Sequence, residues 1–482
     1  MNTPLDYNTV TSEIEAMKLG DFSGATIRDI AMLAGRIEKQ TGQPFIHLEM
    51  GVPGLKPSQI GIEAEKQALD EGCAAIYPPN AGIDRLKQAA SRFIKAYIGI
   101  DLKPQGCIAT VGSMQGTFAV FTALKLALSS SVSSSIVSSF KVSSSKVLGF
   151  RVSGSKPQNL KLETPLNPET LETPQLPPKD TILFIHPGFP VQTTQCDVIG
   201  LNHIGLDIHD YRGEKLIGKL EEILQTGRIC GIVYSNPNNP SWVCFTESEL
   251  EGIGRLATQY DAIVLEDLAY FAMDFRQDLS HPFESPYQAS VARYTDNYVM
   301  TISGSKAFSY AGQRIGVCCV SDALYSRVYP ALQEKFGVGE FGRFIDARII
   351  YTLSSGCCHS VQHAMAAMME AACDGRFDFV SDVREYGRRA AYIKKVLLQN
   401  GFYLVYDNDM GEPLADGFYF TTQYPGMSDL ELTRELMYYG ISVYPLDTMG
   451  SHEQGVRICT SFFKPDQEQL FAERIAQFRA NH

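Results

Sequence analysis

The sequence predicts an α/β protein: a mainly parallel sheet flanked by helices, followed by a smaller α+β domain. Three observations carry this expectation. Apolar runs of strand length recur at Cys107–Val111, Thr181–His186, Gly231–Tyr234, Ala262–Leu265, Tyr298–Ile302 and Gly316–Val320. Helical stretches such as Glu247–Gln259 lie between several of them, and continuous apolar strands separated by helices mark a sheet buried on both faces. After about residue 340 the pattern turns to long helices (Glu385–Gln399), then to strands at Gly417–Thr422, Ile441–Pro445 and Val456–Ser461.

Composition narrows the function classes. The 482 residues are 44 % apolar and 20 % charged, which excludes wholesale disorder. With 42 Lys plus Arg against 54 Asp plus Glu, the formal charge is −12, and no basic block is present to grip phosphate backbones, so no nucleic-acid partner is expected. The 11 cysteines are scattered without a Cys-x-x-Cys, which argues against a disulfide framework. The N-terminal residues lack a basic and apolar signal pattern, and no run of ~18 apolar residues spans a bilayer. A cytoplasmic enzyme with reduced thiols and no membrane partner is the expectation.

One segment stands apart. Between Ser129 and Ser155, 13 of 27 residues are Ser, and Pro and Thr then dominate to Lys179. Such composition buries too little apolar surface to offset its ordering entropy, so residues 129–179 read as a low-complexity insertion, with a Ser-rich linker between two domains as the alternative. Its deletion (131–177) is expected to leave cofactor binding intact.

In an open parallel sheet ligands bind beyond the carboxyl ends of the strands. After Cys107–Val111 comes GSMQG (Gly112–Gly116), opening the helical run Thr117–Leu128. A small-residue turn at a helix N-terminus offers free N–H groups to phosphate, or serves as a simple cap by Ser113. After Gly231–Tyr234 comes SNPNNPSW, whose prolines fix an irregular backbone around polar Asn side chains, or make an ordinary turn. Asp267 and Tyr270 follow Ala262–Leu265. A buried carboxylate there needs a partner; capping a helix is its other reading. After Tyr298–Ile302 comes SGSKAFSYAGQRIG, where Lys306 loses hydration and so offers a nucleophilic amine, with Arg314 eight residues on. Together these supply what pyridoxal phosphate requires: a lysine for its aldehyde, an acid for its ring nitrogen and a phosphate cup.

The motifs GVPG (from Gly51), YPPNAG (from Tyr77), GSMQG, HPGFP (from His186), NPNNP (from Asn236), DLAY, SGSKAFSYAGQRIG and VRICTSF (from Val456) occur in this order. In that combination the chain resembles the fold-type I, pyridoxal-phosphate-dependent aminotransferases of class I/II, the aspartate aminotransferase superfamily, from about Ala25 to the C-terminus outside the insertion. The resemblance implies a seven-stranded large domain over residues 51–340, a small domain over 341–482, and an N-terminal arm and helix (residues 1–50, helix Thr26–Gln40) packed on the small domain. It implies that Lys306 forms the Schiff base and moves the substrate proton, and that Asp267 pairs with the pyridine nitrogen. Tyr270 and Asn239 would bond the ring hydroxyl, and Phe189 would stack on the ring. Gly112, Ser113, Met114, Ser303 and Arg314 would hold the phosphate side, and Arg457, with Gly51 and Asn239, the substrate. Tyr77 would reach the neighbouring subunit's phosphate, which implies a homodimer with shared sites acting on amino acids and 2-oxo acids.

Two departures bear on substrate. Ser241–Trp242 stands where Thr-Gly is usual, so the single Trp would either narrow the pocket or pack outward, and GVPG replaces Gly-Glu-Pro-Asp. A C–S lyase using the same residues remains the alternative chemistry, and a non-catalytic effector-binding module the alternative class. Gly252–Ala257 (GIGRLA) matches a dinucleotide pattern by letter but sits inside a helix. His359 and His363 at i, i+4 lack the companion Glu of a zinc helix, so no metal is expected.

Overall fold

The computed structural model describes residues 3–128 and 178–482. The insertion at 129–179 and its expected dispensability fall almost entirely outside the described residues. The central sheet is built from β1 (Cys107–Thr110), β2 (Thr181–His186), β3 (Asn202–Asp207), β4 (Ile229–Ser235), β5 (Ile263–Leu268), β6 (Tyr298–Ser303) and β7 (Gly316–Val320), in spatial order β1-β7-β6-β5-β4-β2-β3. β7 runs antiparallel to both its neighbours; the other pairings are parallel.

Both faces of the sheet are covered, which explains the unbroken apolar runs. On one face Ile182, Phe184, Val233, Leu265 and Val299 pack against Val120, Phe121 and Leu124 of the helix Gly112–Leu128. On the other, Leu183, Ile185, Ile232, Val264 and Met300 join the larger core. β3 had no such sequence signal: it is the edge strand, and Asn202, Ile204 and Gly205 are exposed on it. The helix after β1 begins at Gly112 rather than Thr117, because Gly112 takes φ +66° and turns the chain straight from strand into helix. The helix Glu247–Gln259 encloses the GIGRLA letters, with a Thr246/Glu249 capping box.

The expected strand Ile441–Pro445 divides in two. Ile441–Ser442 pairs in parallel with Ile46–His47, whereas Tyr444–Pro445 pairs antiparallel with Val456–Cys459, so the chain changes partner at Val443. Val456–Cys459 also pairs with Tyr419–Gln423, setting Arg457 opposite Thr421. The helix Ile27–Thr41 starts at the Thr26/Asp29 capping box and stops at Gly42 with φ +67°. Residues before 50 therefore fold against the C-terminal part of the chain; farther out, the Tyr7 ring stacks 4.6 Å from that of Tyr438. Among the described residues no helix is long and apolar enough to cross a membrane.

Candidate active site

A cavity of about 640 Å³ opens beyond the carboxyl ends of the parallel strands. Several of its walls are set by strand ends of the central sheet. Ser235 closes β4, Asp267 stands near the end of β5 and Ser303 ends β6. Ser113 and Met114 enter from the helix after β1, and Phe189 from the segment after β2.

Asp267 is buried and makes no cap to a helix, since β5 runs on through Leu268. Its carboxylate accepts from the Thr301 hydroxyl at 2.9 Å, the Gln192 amide at 3.1 Å and the Ala269 N–H at 3.2 Å. Burial nevertheless pushes its pKa above the ordinary carboxylate value. Lys306 sits in the turn after β6, and its Nζ donates to the Gly51 carbonyl. Burial first, with Arg457 and Arg314 adding repulsion, brings the amine down to about 8.

The helix Gly112–Leu128 points its N-terminus at the cavity, with Ser113 and Met114 in its lining. The Ser113 hydroxyl is buried there with no hydrogen-bond partner. Arg314 (φ +51°) lies so close to Gly112 that a Cβ there would stand 2.5 Å from Nη2. The same guanidinium donates to the Ala311 carbonyl at 3.0 Å and to the Ser305 hydroxyl at 3.4 Å, and the Ser303 hydroxyl accepts from the Ser305 N–H at 3.1 Å. Across the cavity Arg457 is 1 % exposed, donates to the Asn239 side chain at 3.5 Å and to the Glu49 carbonyl, and leaves its Nε without a partner. Its guanidinium lies 4.7 Å from the Tyr419 ring centre and 5.3 Å from that of Tyr444.

Most residues singled out in the sequence line this cavity: Gly51, Ser113, Met114, Phe189, Asn239, Asp267, Tyr270, Ser303, Lys306, Arg314 and Arg457. Gly112 stands just behind the lining, under Arg314. Tyr77 is not brought to it: its side chain is 87 % exposed and borders a separate hollow with Ile76, Pro78 and Cys358. Sequence reasoning missed Gln192 and Thr301, which hold Asp267, and Tyr419, Tyr444 and Arg28, which line the same cavity. The alternation of VMTIS offered a faint signal for Thr301, placed directly opposite Asp267 in the β5–β6 register. Trp242 packs away from the cavity: it is fully buried behind Tyr270 and Tyr419 and fits only because residue 417 is Gly, whose Cβ would stand 2.1 Å from the indole Nε1.

The family model for aminotransferase class I and II matches residues 166–475, more than half of the chain. This chain belongs to the class I and II aminotransferase family. Among curated relatives, it is 22 % identical over 294 residues to an aspartate/prephenate aminotransferase of Thermus thermophilus, covering 60 % of each chain. An LL-diaminopimelate aminotransferase of Natranaerobius thermophilus is 22 % identical over 448 residues, covering 92 % of this chain and 93 % of its own. An aspartate aminotransferase of Pyrococcus horikoshii is 24 % identical over 60 % of this chain and 58 % of its own. The matched stretch thus spans about three fifths of the first and third of these relatives. Among solved structures, an alanine aminotransferase from Pyrococcus furiosus superposes with a TM-score of 0.70 at 19 % identity over 96 % of this chain and 99 % of its own. An aspartate aminotransferase double mutant from Thermus thermophilus gives 0.68 at 18 % identity over 97 % and 98 %. These likenesses establish the fold.

The cofactor of this family is pyridoxal phosphate, and the cavity fits it on three counts. A buried carboxylate lacks a cationic partner at hydrogen-bond distance, as a protonated ring nitrogen requires. The partnerless Ser113 hydroxyl lies beside a helix N-terminus and Arg314, as a phosphate requires. A desolvated lysine amine lines the same cavity, as an aldehyde requires.

Proposed function

We propose that this chain transfers an amino group between an amino acid and a 2-oxo acid, using Lys306 as its covalent anchor and proton carrier. The observation that carries the reading is the presence of Lys306, its amine brought down to about 8, in the same cavity as the buried Asp267 carboxylate and the buried Arg457. Pyridoxal phosphate supplies the aldehyde and the electron-withdrawing ring. Asp267 keeps the ring nitrogen protonated, held in turn by Thr301 and Gln192. Arg314, Ser113 and the helix N-terminus neutralise the phosphate. Arg457 receives the substrate carboxylate, with Asn239 fixing one edge of its guanidinium. Lys306 Nζ would take the proton from the substrate α-carbon and hold it for return. Tyr270 and Asn239 are assigned to the ring hydroxyl, Phe189 to the ring face, and Met114, Gly112 and Ser303 to the phosphate side.

The relatives named for aspartate, prephenate and LL-diaminopimelate point to substrates with a polar distal group. In this chain Arg28 lines the same cavity as Arg457, which supports that direction. The exposed Tyr77, with Ile76 62 % exposed beside it, supports a homodimer in which this edge reaches the neighbouring site. Eleven cysteines without a disulfide support a reducing, cytoplasmic setting.

A half-reaction screen tests the proposal. Protein loaded with cofactor is mixed with single amino acids, and both the visible band and the products are followed. Loss of the band with one equivalent of 2-oxo acid is the expected result. Ammonia and pyruvate released with the band retained would instead establish elimination chemistry.

A further inference from the structure

Tyr270 is the one phenol assigned to the cofactor's ring hydroxyl, yet its hydrogen bond already has a taker. Its hydroxyl donates to that of Tyr419 at 3.1 Å, with the two rings edge to face at 5.3 Å. A phenol has a single proton to donate, so a bond to Tyr419 is one withheld from any other acceptor. Tyr419 is fixed in this position from three sides. The Arg457 guanidinium lies 4.7 Å from its ring centre. The Trp242 indole meets its edge at 6.1 Å, and Trp242 itself is lodged against Gly417. Its hydroxyl approaches Gly51 so closely that a Cβ there would stand 1.9 Å away. A side chain 2 % exposed, lining the cavity and held this firmly, is not incidental packing.

We propose that Tyr419 is a positioning residue that competes with the cofactor's ring hydroxyl for the Tyr270 proton, and so sets the pH at which the bound cofactor ionises. The inference rests on the proposed cofactor site. A donor bond to the ring oxygen stabilises its deprotonated, negatively charged form and lowers the pH midpoint of the cofactor's visible band. Taking that donor away raises the midpoint. Tyr419 therefore holds the midpoint higher than Tyr270 alone would set it.

The test is a spectrophotometric pH titration of resting, cofactor-loaded protein, which needs no turnover. Tyr419→Phe removes the competing oxygen while keeping the ring, and the midpoint is expected to fall by roughly half a unit, the size of one modest hydrogen bond. Tyr270→Phe is expected to raise it, and in the Tyr270→Phe background Tyr419→Phe is expected to change nothing. A midpoint that rises or stays fixed in Tyr419→Phe overturns the proposal. So does a fall that persists in the double variant, because it would act by a route other than Tyr270. Circular dichroism and melting temperature report whether each variant is folded, so a merely structural role shows as a lower melting point with an unmoved midpoint, and also overturns it. If the unmodified protein forms no cofactor band, it is the cofactor-site reading that fails, and the two failures are told apart.

Discussion

Thr301 stands directly opposite Asp267 in the β5–β6 register, and its hydroxyl donates to the Asp267 carboxylate at 2.9 Å. The bond favours the ionised form against the burial that pushes this carboxyl upward. Under the proposed role, the ionised form is the one that pairs with the cofactor's ring nitrogen. Asp267→Asn leaves a buried cation without its counter-charge, and cofactor affinity is expected to fall by about 100-fold or more. Thr301→Val removes one of three bonds and is expected to cost about fivefold, with the loss growing as pH falls because the carboxyl protonates more readily. Fluorescence titration of cofactor-free protein between pH 6 and 8 measures both. Equal affinity in Asp267→Asn and the parent would remove Asp267 from the site.

The depressed amine of Lys306 gives a kinetic signature. Attack on an aldehyde requires the neutral amine, and burial brings Lys306 down to about 8. The rate at which added cofactor develops its visible band is therefore expected to rise with pH and to reach half its plateau near 8, more than two units below a solvated lysine. Lys306→Ala should give no such band at any pH. A half-maximal rate near 10 would mean that the amine is solvated when the cofactor arrives.

Glu266, one residue before Asp267, faces the opposite side of the sheet and is fully buried. It accepts from the Tyr234 hydroxyl at 3.1 Å, the Val291 N–H at 3.3 Å and the Ser290 hydroxyl. Desolvation outweighs these bonds and raises its carboxyl to about 7. The folded chain therefore binds this proton more tightly than the unfolded chain. Its contribution is fully present below the ordinary pKa near 4.5 and is lost as pH rises through about 7. The loss is of the order of 3 kcal/mol at most. Glu266→Gln keeps one acceptor oxygen, enough for Tyr234 and Val291, gives up the one that accepts from Ser290, and removes the titration. Its melting temperature should be less sensitive to pH between 5 and 8 than that of the parent. Parallel melting curves across that range would refute the assignment.

What could be read from the sequence follows from what each residue's environment demands locally. Strands buried on both faces need unbroken apolar runs, so Thr181–His186 and Gly316–Val320 were legible to the residue. The edge strand Asn202–Asp207 needs no such run and left none. Lys306 and Asp267 were legible because their types stand at or just past the ends of apolar strands, whereas Arg457, inside the strand Val456–Cys459, came only through the resemblance of the VRICTSF motif. Tyr419 and Tyr444 were not, since they reach the cavity from the separate antiparallel sheet and nothing in GFYFTT or VYPLD records that approach. Trp242 was placed near the cleft correctly, but its direction depends on Gly417, 175 residues away in the chain.

Arg28 is the remaining charge to account for. It stands in the first turn of the helix Ile27–Thr41 and lines the cavity with Ile27, Val52 and Tyr444. The cavity's other cations each have a proposed partner: Lys306 the aldehyde, Arg314 the phosphate, Arg457 the substrate carboxylate. Arg28 has none, and among the described residues no carboxylate lies within ion-pair distance of it. A substrate with a second, distal carboxylate would complete the balance. Arg28→Ala is accordingly expected to lower kcat/KM for amino acids bearing a distal carboxylate roughly tenfold, through KM, the size of one charge-assisted hydrogen bond. It should leave alanine within about twofold, since alanine has nothing to offer this arginine. Arg28→Lys should restore part of the loss, because it returns the charge without the planar fork. A loss shared equally by alanine and the dicarboxylic substrates would show that the helix start was disturbed and not that a charge contact was removed.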